Sequence, residues 1–434
     1  MNLKPTKPLS GFIELLPAQQ RCFDECVRRM QEVLATAGFS RLDLPAIERA
    51  EVLTDKDNWD EIETQMFLFQ KGDTKMGLRY DGTVGLARYV AGHLNDLNFP
   101  FRAAQLNKVY RGERPQKGRY REFYQMDMDI LGIETLSTNY DAEIVATISR
   151  VFESVREFVG PVTIRIGSRP FWNALADYLD LKAEIRNQLF IWIDKRAKVS
   201  DKDFQTGLFD IIGEKNTSEI LKVFTDGYKS FLNKSDNLNV AVREIENFES
   251  LLADMGIKNA IIDMSIMRGL AYYTGLVYET FLDDHPQIGF SVCGGGRYGE
   301  LAGKFSKTSI IGVGVAFGIS RMFVALMSDD LIDLSKFENN IDVAVLVMGQ
   351  AQVGFAMSAV TALRDAKIAT VPYLDTDKKF KNQIEFADKI KCKFSIIIGE
   401  DEVKSQVLTV KDMATGNQEK MSIIDTIKLI SKGK

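Results

Sequence analysis

Residues 110–132 read YRGERPQKGRYREFYQMDMDILG. Five cations, Arg111, Arg114, Lys117, Arg119 and Arg121, crowd an arm and a loop whose Pro115 and Gly118 mark a turn. Glu113 stands among them. Phe123 to Ile130 alternates with period two and is expected to be a strand. Tyr124, Met126, Met128 and Ile130 share its apolar face, and Phe123, Gln125, Asp127 and Asp129 share the other. A polar strand face ordinarily meets water. Here it lies beside a hairpin of arginines. Together they suit a ligand with a phosphate at one end and a cationic or NH-bearing group at the other.

Four more stretches carry chemistry. Asp81-Gly82-Thr83 stands where a strand gives way to a helix. Its acid and hydroxyl serve either as helix caps or as acceptors for an ammonium group. Arg268 lies between an alternating strand and Gly269, ahead of Tyr272, Tyr273 and a Thr274-Gly275 turn. Taken alone it reads as a surface arginine. Cys293 to Gly299, CGGGRYG, reads as a tight turn or a close backbone approach to a ligand. Ile311 to Arg321 reads as a glycine-interrupted strand leading into a helix. Its spacing is not that of a dinucleotide-binding loop, and no suitable acid follows.

Composition narrows the chemistry. With only two histidines, His93 and His285, neither a histidine-rich metal site nor a histidine-based triad is expected. Cys22, Cys26, Cys293 and Cys392 form no CxxC pair and read as packed or surface thiols. No apolar run reaches membrane-spanning length, and MNLKPTKPLSGF lacks the apolar core of a secretory signal, so a cytoplasmic protein with no membrane partner is expected. A net charge of -5 argues against a basic nucleic-acid coat and leaves room for a local patch.

The elements that position these groups follow from pattern. GFIELLP introduces a helix running to about Ala37 and stopped by Gly38, then a strand that meets Pro45. Phe67–Phe69 and Met76–Tyr80 flank a Lys71-Gly72-Asp73 hairpin turn, and a helix follows from Val84 to Leu94. A helix from Asp141 to Val159 precedes a strand from Val162 to Gly167. Residues 169–256 read as polar helices, an inserted domain. Strands return at Ile261 and at Leu276–Leu282. Beyond a polar linker, 331–340, strands and helices alternate, and a small α/β domain with a mostly parallel sheet is expected. Lys378, Lys379, Lys381, Lys389, Lys391 and Lys393 gather there. By themselves they read as a solvated face.

The 110–132 stretch resembles motif 2 of class II aminoacyl-tRNA synthetases, and specifically of histidyl-tRNA synthetases, whose version runs close to RxERPQxGRYRxFxQ. The likeness extends to a motif 1 helix and strand, to LRYDGT, to RGLAYYTGLVYE at 268–279, to GGGRY and to motif 3 ending at Arg321. It covers nearly the whole chain. The fold class it implies is α+β, a class II antiparallel sheet flanked by helices, with a helical insertion and a C-terminal α/β anticodon-binding domain. The implied domains are a catalytic core at 1–168 and 257–330, the insertion at 169–256, the linker at 331–340 and the anticodon-binding domain at 341–434.

The resemblance also implies roles. Asp81, Gly82, Thr83, Arg111, Gln125, Asp129, Arg268, Tyr272 and Tyr273 would bind histidine. Arg111, Glu113, Phe123, Arg268 and Arg321 would bind ATP, with adenine between Arg321 and Phe123. Arg111 and Arg268 would be the catalytic cations. The implied reaction joins L-histidine to tRNA(His) through a histidyl-adenylate, using ATP with Mg²⁺ carried on its phosphates, in a homodimer. The lysine cluster becomes a tRNA contact. Many members have Asp where this chain has Ala271, and Glu at Asp81 and Asp129. The alternatives are the non-catalytic histidine-binding regulatory paralogue of histidine biosynthesis and a sensor of uncharged tRNA. Retention of the C-terminal domain, Arg111 and Arg321 speaks against the first, and the absence of room for a kinase against the second.

Overall fold

The computed structural model describes residues 4–54, 64–116, 118–267, 273–299, 305–338 and 340–432. The chain divides into two compact units, Met1–Glu14 with Phe23–Ile332 and Leu15–Cys22 with Asp333–Lys434.

The larger unit is built on a sheet of, among the described residues, eight strands: β1 (Ser40–Leu42), β5 (Phe101–Tyr110), β6 (Glu122–Ile133), β7 (Val162–Ser168), β8 (Ala260–Ile262), β9 (Tyr273–Leu282), β10 (Cys293–Tyr298) and β11 (Ile310–Phe317). They pair in the order β1-β5-β6-β11-β10-β9-β7-β8. The six central strands run antiparallel, and parallel pairs close each edge. A separate small sheet holds β2 (Ile47–Arg49), β3 (Leu68–Lys71) and β4 (Thr74–Leu78).

Strand β6 explains the architecture. Its apolar face is buried, with Met126, Met128 and Ile130 at most 1% exposed. Helix α1 (Pro17–Thr36) covers that side, where Phe23 meets Tyr124. The polar face is buried as well, with Gln125, Asp127 and Asp129 between 3% and 5% exposed. The expectation that a polar strand face meets water therefore fails here. Helix α2 (Thr83–Gly92) covers part of this second face, packing Leu86 and Val90 against Phe101, Ala103 and Leu131.

Two readings are corrected. Thr274-Gly275 is not a turn, because β9 already begins at Tyr273 and runs through both residues. Gly275 is small because a Cβ there would lie 2.8 Å from the Cβ of Arg297 on β10. The CGGGRYG segment is likewise no turn but the interior strand β10, whose glycines let it lie against β9 and β11.

Helices α3 (Asn139–Ser154), α4 (Arg169–Tyr178), α5 (Ala183–Ile193), α6 (Asp201–Thr225) and α7 (Asp236–Asp254) complete this unit with α8 (Ile319–Ser328). Residues 169–254 form no strand among those described, and Phe171, Trp172, Phe204 and Phe231 give that segment a buried aromatic core.

The smaller unit holds β12 (Val343–Val347), α9 (Val353–Asp365), β13 (Thr370–Tyr373), α10 (Phe380–Lys389), β14 (Phe394–Ile398), α11 (Glu400–Ser405), β15 (Leu408–Asp412), β16 (Gln418–Met421) and α12 (Ile423–Lys432). Its sheet is mixed rather than mostly parallel. Strands β13-β12-β14 are parallel, and β15 and β16 add antiparallel. Three lysines of the cluster are held in ion pairs, Lys381 with Glu385, Lys391 with Glu338 and Lys393 with Asp342.

Candidate functional site

A cavity of about 460 Å³ opens over the polar face of β6. Asp81, Thr83, Arg111, Glu113, Phe123, Gln125, Asp129, Tyr273 and Arg321 all line it, although they come from parts of the chain up to 240 residues apart. Gly82 lies just beneath, against Asp127. Arg268 and Tyr272 lie outside the described residues.

The acids are held by backbone and neighbours. Asp81 Oδ1 accepts from the backbone N–H of Thr83 (3.0 Å) and Val84 (3.2 Å), so one oxygen caps α2 while the residue also lines the cavity. Asp81 thus faces the helix start and the cavity at once. Asp129 Oδ1 accepts from the Tyr298 hydroxyl at 2.7 Å. Burial lifts the Asp129 carboxyl to about 7; the Tyr298 hydrogen bond opposes this and the charge of Asp81 adds to it. Burial raises Asp81 too.

Tyr298 belongs to the GGGRY segment, whose family counterpart lines the histidine site, but carries no role of its own among the sequence expectations. It lines the cavity and is 4% exposed. A signal for it existed in the glycines of β11. A Cβ on Gly312 would overlap the Tyr298 ring, and a Cβ on Gly314 would overlap Asp129 Oδ1. Gly314 pairs with Asp129 across the sheet. Small residues two apart on a strand mark large side chains lying over it from the neighbouring strands.

The cations are held by rings. The guanidinium of Arg111 sits 4.5 Å from the Tyr80 ring centroid and 5.3 Å from that of Phe123. Arg321 sits 4.0 Å from the Phe290 centroid. Burial, with the charges of Arg119 and Arg111, pulls Arg321 down to about 10. Three guanidiniums this close repel one another, and a polyanion would relieve that repulsion. Glu113 offsets part of it, 3.7 Å from Arg119.

One cavity thus offers carboxylates, an amide and a phenol to an amine and a nitrogen ring, and guanidiniums and aromatic rings to a phosphorylated base. Set on a mixed α+β core with a central antiparallel sheet, this is the catalytic fold of a class II aminoacyl-tRNA synthetase. Residues 11–322 match the model of histidyl-tRNA synthetases, and residues 342–433 match that of an anticodon binding domain. The chain belongs to the histidyl-tRNA synthetase family, which places it among the ligases. The histidine–tRNA ligase of Clostridium tetani is 39% identical over 97% of both chains. That of Stenotrophomonas maltophilia is 35% identical over 97% of this chain and 96% of its own. The crystal structure of histidyl-tRNA synthetase from a Nostoc species aligns over 100% of both chains with a TM-score of 0.86 at 30% identity. A Bacillus halodurans structure described as an ATP phosphoribosyltransferase regulatory subunit/histidyl-tRNA synthetase shares the fold, with a TM-score of 0.73 at 19% identity over 91% of this chain and all of its own.

Proposed function

We propose that this chain activates L-histidine with ATP and transfers the histidyl group to the terminal adenosine of tRNA(His). The observation that carries this reading is the meeting of buried acids with Arg111, Arg119 and Arg321 in one cavity. The histidine carboxylate attacks the α-phosphorus of ATP, pyrophosphate leaves, and a ribose hydroxyl of the tRNA then displaces AMP. Both reactants of the first step are anions, so cations fixed in advance do most of the work. Arg111 takes that role here, and the family pattern assigns the same role to Arg268.

Asp81, Thr83 and Gln125 receive the α-ammonium, over the close backbone of Gly82. Asp129 takes the imidazole N–H, and Tyr273 and Tyr272 close the ring's pocket. An imidazole offers one donor and one acceptor, and buried partners left unpaired reject other side chains by about 10⁴-fold. Phe123 and Arg321 take the adenine and Glu113 supports the nucleotide. Among the described residues no three His, Cys, Asp or Glu side chains stand together as a metal cage. Mg²⁺ arriving with ATP would neutralise charge on its phosphates. The division into a core at 1–168 and 257–330, an insertion at 169–256, a linker at 331–340 and an anticodon-reading domain at 341–434 serves both steps. We place the enzyme in the cytoplasm as a homodimer; no helix among the described residues is long and apolar enough to cross a membrane.

Amino-acid-dependent ATP–pyrophosphate exchange tests the reading. Exchange with histidine alone among the amino acids is expected. Histidine binding without exchange would instead make the chain a regulatory paralogue and strip Arg111 and Arg268 of their catalytic roles.

A further inference from the structure

Beneath the cavity lies a ladder of buried polar side chains, of which the proposed chemistry uses only Gln125. On adjacent strands Gln105 pairs with Asp127 and Asn107 with Gln125. All four are at most 5% exposed. Asn107 Nδ2 donates to Gln105 Oε1 (2.9 Å), and Gln105 Nε2 donates to the Gly82 carbonyl (3.3 Å). Gln125 Nε2 donates to Asp127 Oδ1 at 2.7 Å. Asp127 does not line the cavity, whereas Gln125 does. The other Asp127 oxygen, Oδ2, lies against Gly82 so closely that a Cβ there would overlap it, and it has no hydrogen-bond partner among the described residues.

We propose that Asp127 is a positioning residue, which fixes the Gln125 amide so that its carbonyl oxygen, and not its NH₂, is presented to the α-ammonium of histidine. This rests on the proposed histidine site. An amide has a donor end and an acceptor end of nearly equal shape, and only its neighbours decide which end faces a ligand. A carboxyl oxygen that accepts can bond only the NH₂ end. With that end tied to Asp127, Gln125 Oε1 is left to the cavity side, where an ammonium needs acceptors. Were the amide reversed, its NH₂ would oppose the ammonium.

The proton inventory agrees. The charged groups facing Asp127 are Asp129 on its own strand, Asp81 before α2, Arg111 and Arg79. Burial, then the Asp129 charge, hold the Asp127 carboxyl well above the ordinary carboxylate range, with Asp81 adding and Gln125 and Arg111 opposing. The oxygen that accepts from Gln125 is Oδ1, which an asparagine amide oxygen can replace.

The test uses the full-length enzyme, Asp127→Ala and Asp127→Asn, with 3-(imidazol-4-yl)propionate as a competitor that lacks the α-amine. Wild-type histidine-dependent exchange comes first, because its absence would sink the histidine reading itself. Given that exchange, Asp127→Ala is expected to raise the KM for histidine by about 10- to 100-fold, the worth of one charge-assisted hydrogen bond. The KM for ATP and the inhibition constant of the propionate should stay within about 2-fold. Asp127→Asn should recover histidine to within about 3-fold of wild type, and should also fold if the alanine variant does not. Equal weakening of histidine and the propionate, an unchanged KM for histidine in Asp127→Ala, or loss of histidine binding in Asp127→Asn would each overturn the proposal.

Discussion

Asp129→Asn should make the ligand-free protein more stable at neutral pH while disabling its histidine site. Burial and its neighbours lift the Asp129 carboxyl from an ordinary value near 3.9 to about 7. Unfolding at pH 8 releases that group to water, where it ionises at no cost. In the fold its ionisation is opposed by about 1.36 kcal/mol for each step of one in pKa, about 4 kcal/mol in all. The native state binds the extra proton between the two pKa values, so stability from this group is full below about pH 4 and is lost as pH rises to about 7. Asparagine has no such dependence. It exchanges the Tyr298 hydrogen bond to a protonated carboxyl for one to an amide, a constant offset of about 1 kcal/mol. The stability of Asp129→Asn relative to wild type should therefore rise by about 2–3 kcal/mol between pH 5 and pH 8 and flatten above it. Denaturant unfolding without ligand across that range measures this, and the constant offset cancels. Tyr298→Phe, which removes a hydrogen bond that lowers the Asp129 pKa, should carry the midpoint to higher pH. A gap that stays flat or narrows from pH 5 to pH 8 would refute the reasoning.

Other perturbations follow from the same geometry. Gly314→Ala places a methyl group on the Asp129 carboxylate; the KM for histidine should rise by at least about 10-fold with the KM for ATP little changed, measured by exchange kinetics. Arg297→Met removes the partner of Asp141, which is 2% exposed and also accepts from Tyr278. A stability loss of roughly 3–5 kcal/mol is expected in denaturant unfolding, because a buried carboxylate is left uncompensated. Burial pushes Glu402 up, but Lys420, Thr409 and the Gly399 N–H override it and hold it at about 2. Its contribution, roughly 1–2 kcal/mol, is present above about pH 4.5 and lost as pH falls toward 2; Glu402→Gln should remove that acid-side slope from an unfolding series.

The sheet and its principal site strand were legible because they obey simple periods. Phe123 to Ile130 alternates without a break, and the hairpin at Lys71-Gly72-Asp73 carries its own turn chemistry. What alternation could not tell was whether the polar face of β6 met water. That depends on α2 and on β9, β10 and β11, which come from distant parts of the chain. The glycines misled for a related reason. In a short window, Gly294 to Gly296 and Thr274-Gly275 look like turns because turns are the commonest local use of glycine. In the fold they are strand residues, and Gly275, Gly295 and Gly296 make room for a neighbour's side chain or backbone. The lysine run in the smaller unit shows the same limit, since the carboxylates that hold Lys391 and Lys393, Glu338 and Asp342, lie 53 and 51 residues earlier in the chain.

Three carboxyl groups, Asp81, Asp127 and Asp129, are raised by burial on one face of the sheet. A fold selected for stability alone would not collect them there. On the function proposed above, Asp81 and Asp129 are acceptors awaiting a ligand that brings an ammonium and a ring N–H, and Asp127 holds Gln125 behind them. The surrounding packing agrees: Gly82 is bare to admit Asp127, Gly314 to admit Asp129, and Gly312 to admit Tyr298. The same acids that weaken the empty protein should therefore make histidine strongly stabilising. Histidine at 100 times its dissociation constant should add about 2.7 kcal/mol. Because an ionised Asp129 accepts the imidazole N–H more strongly than a protonated one, affinity should fall as pH drops below about 7, in addition to the fall from the ligand ring's own protonation near pH 6.5, and Asp129→Asn should remove the Asp129 part of that dependence. If histidine raised the stability of wild type and Asp129→Asn equally at pH 8, the buried acid would have no part in recognising the ring.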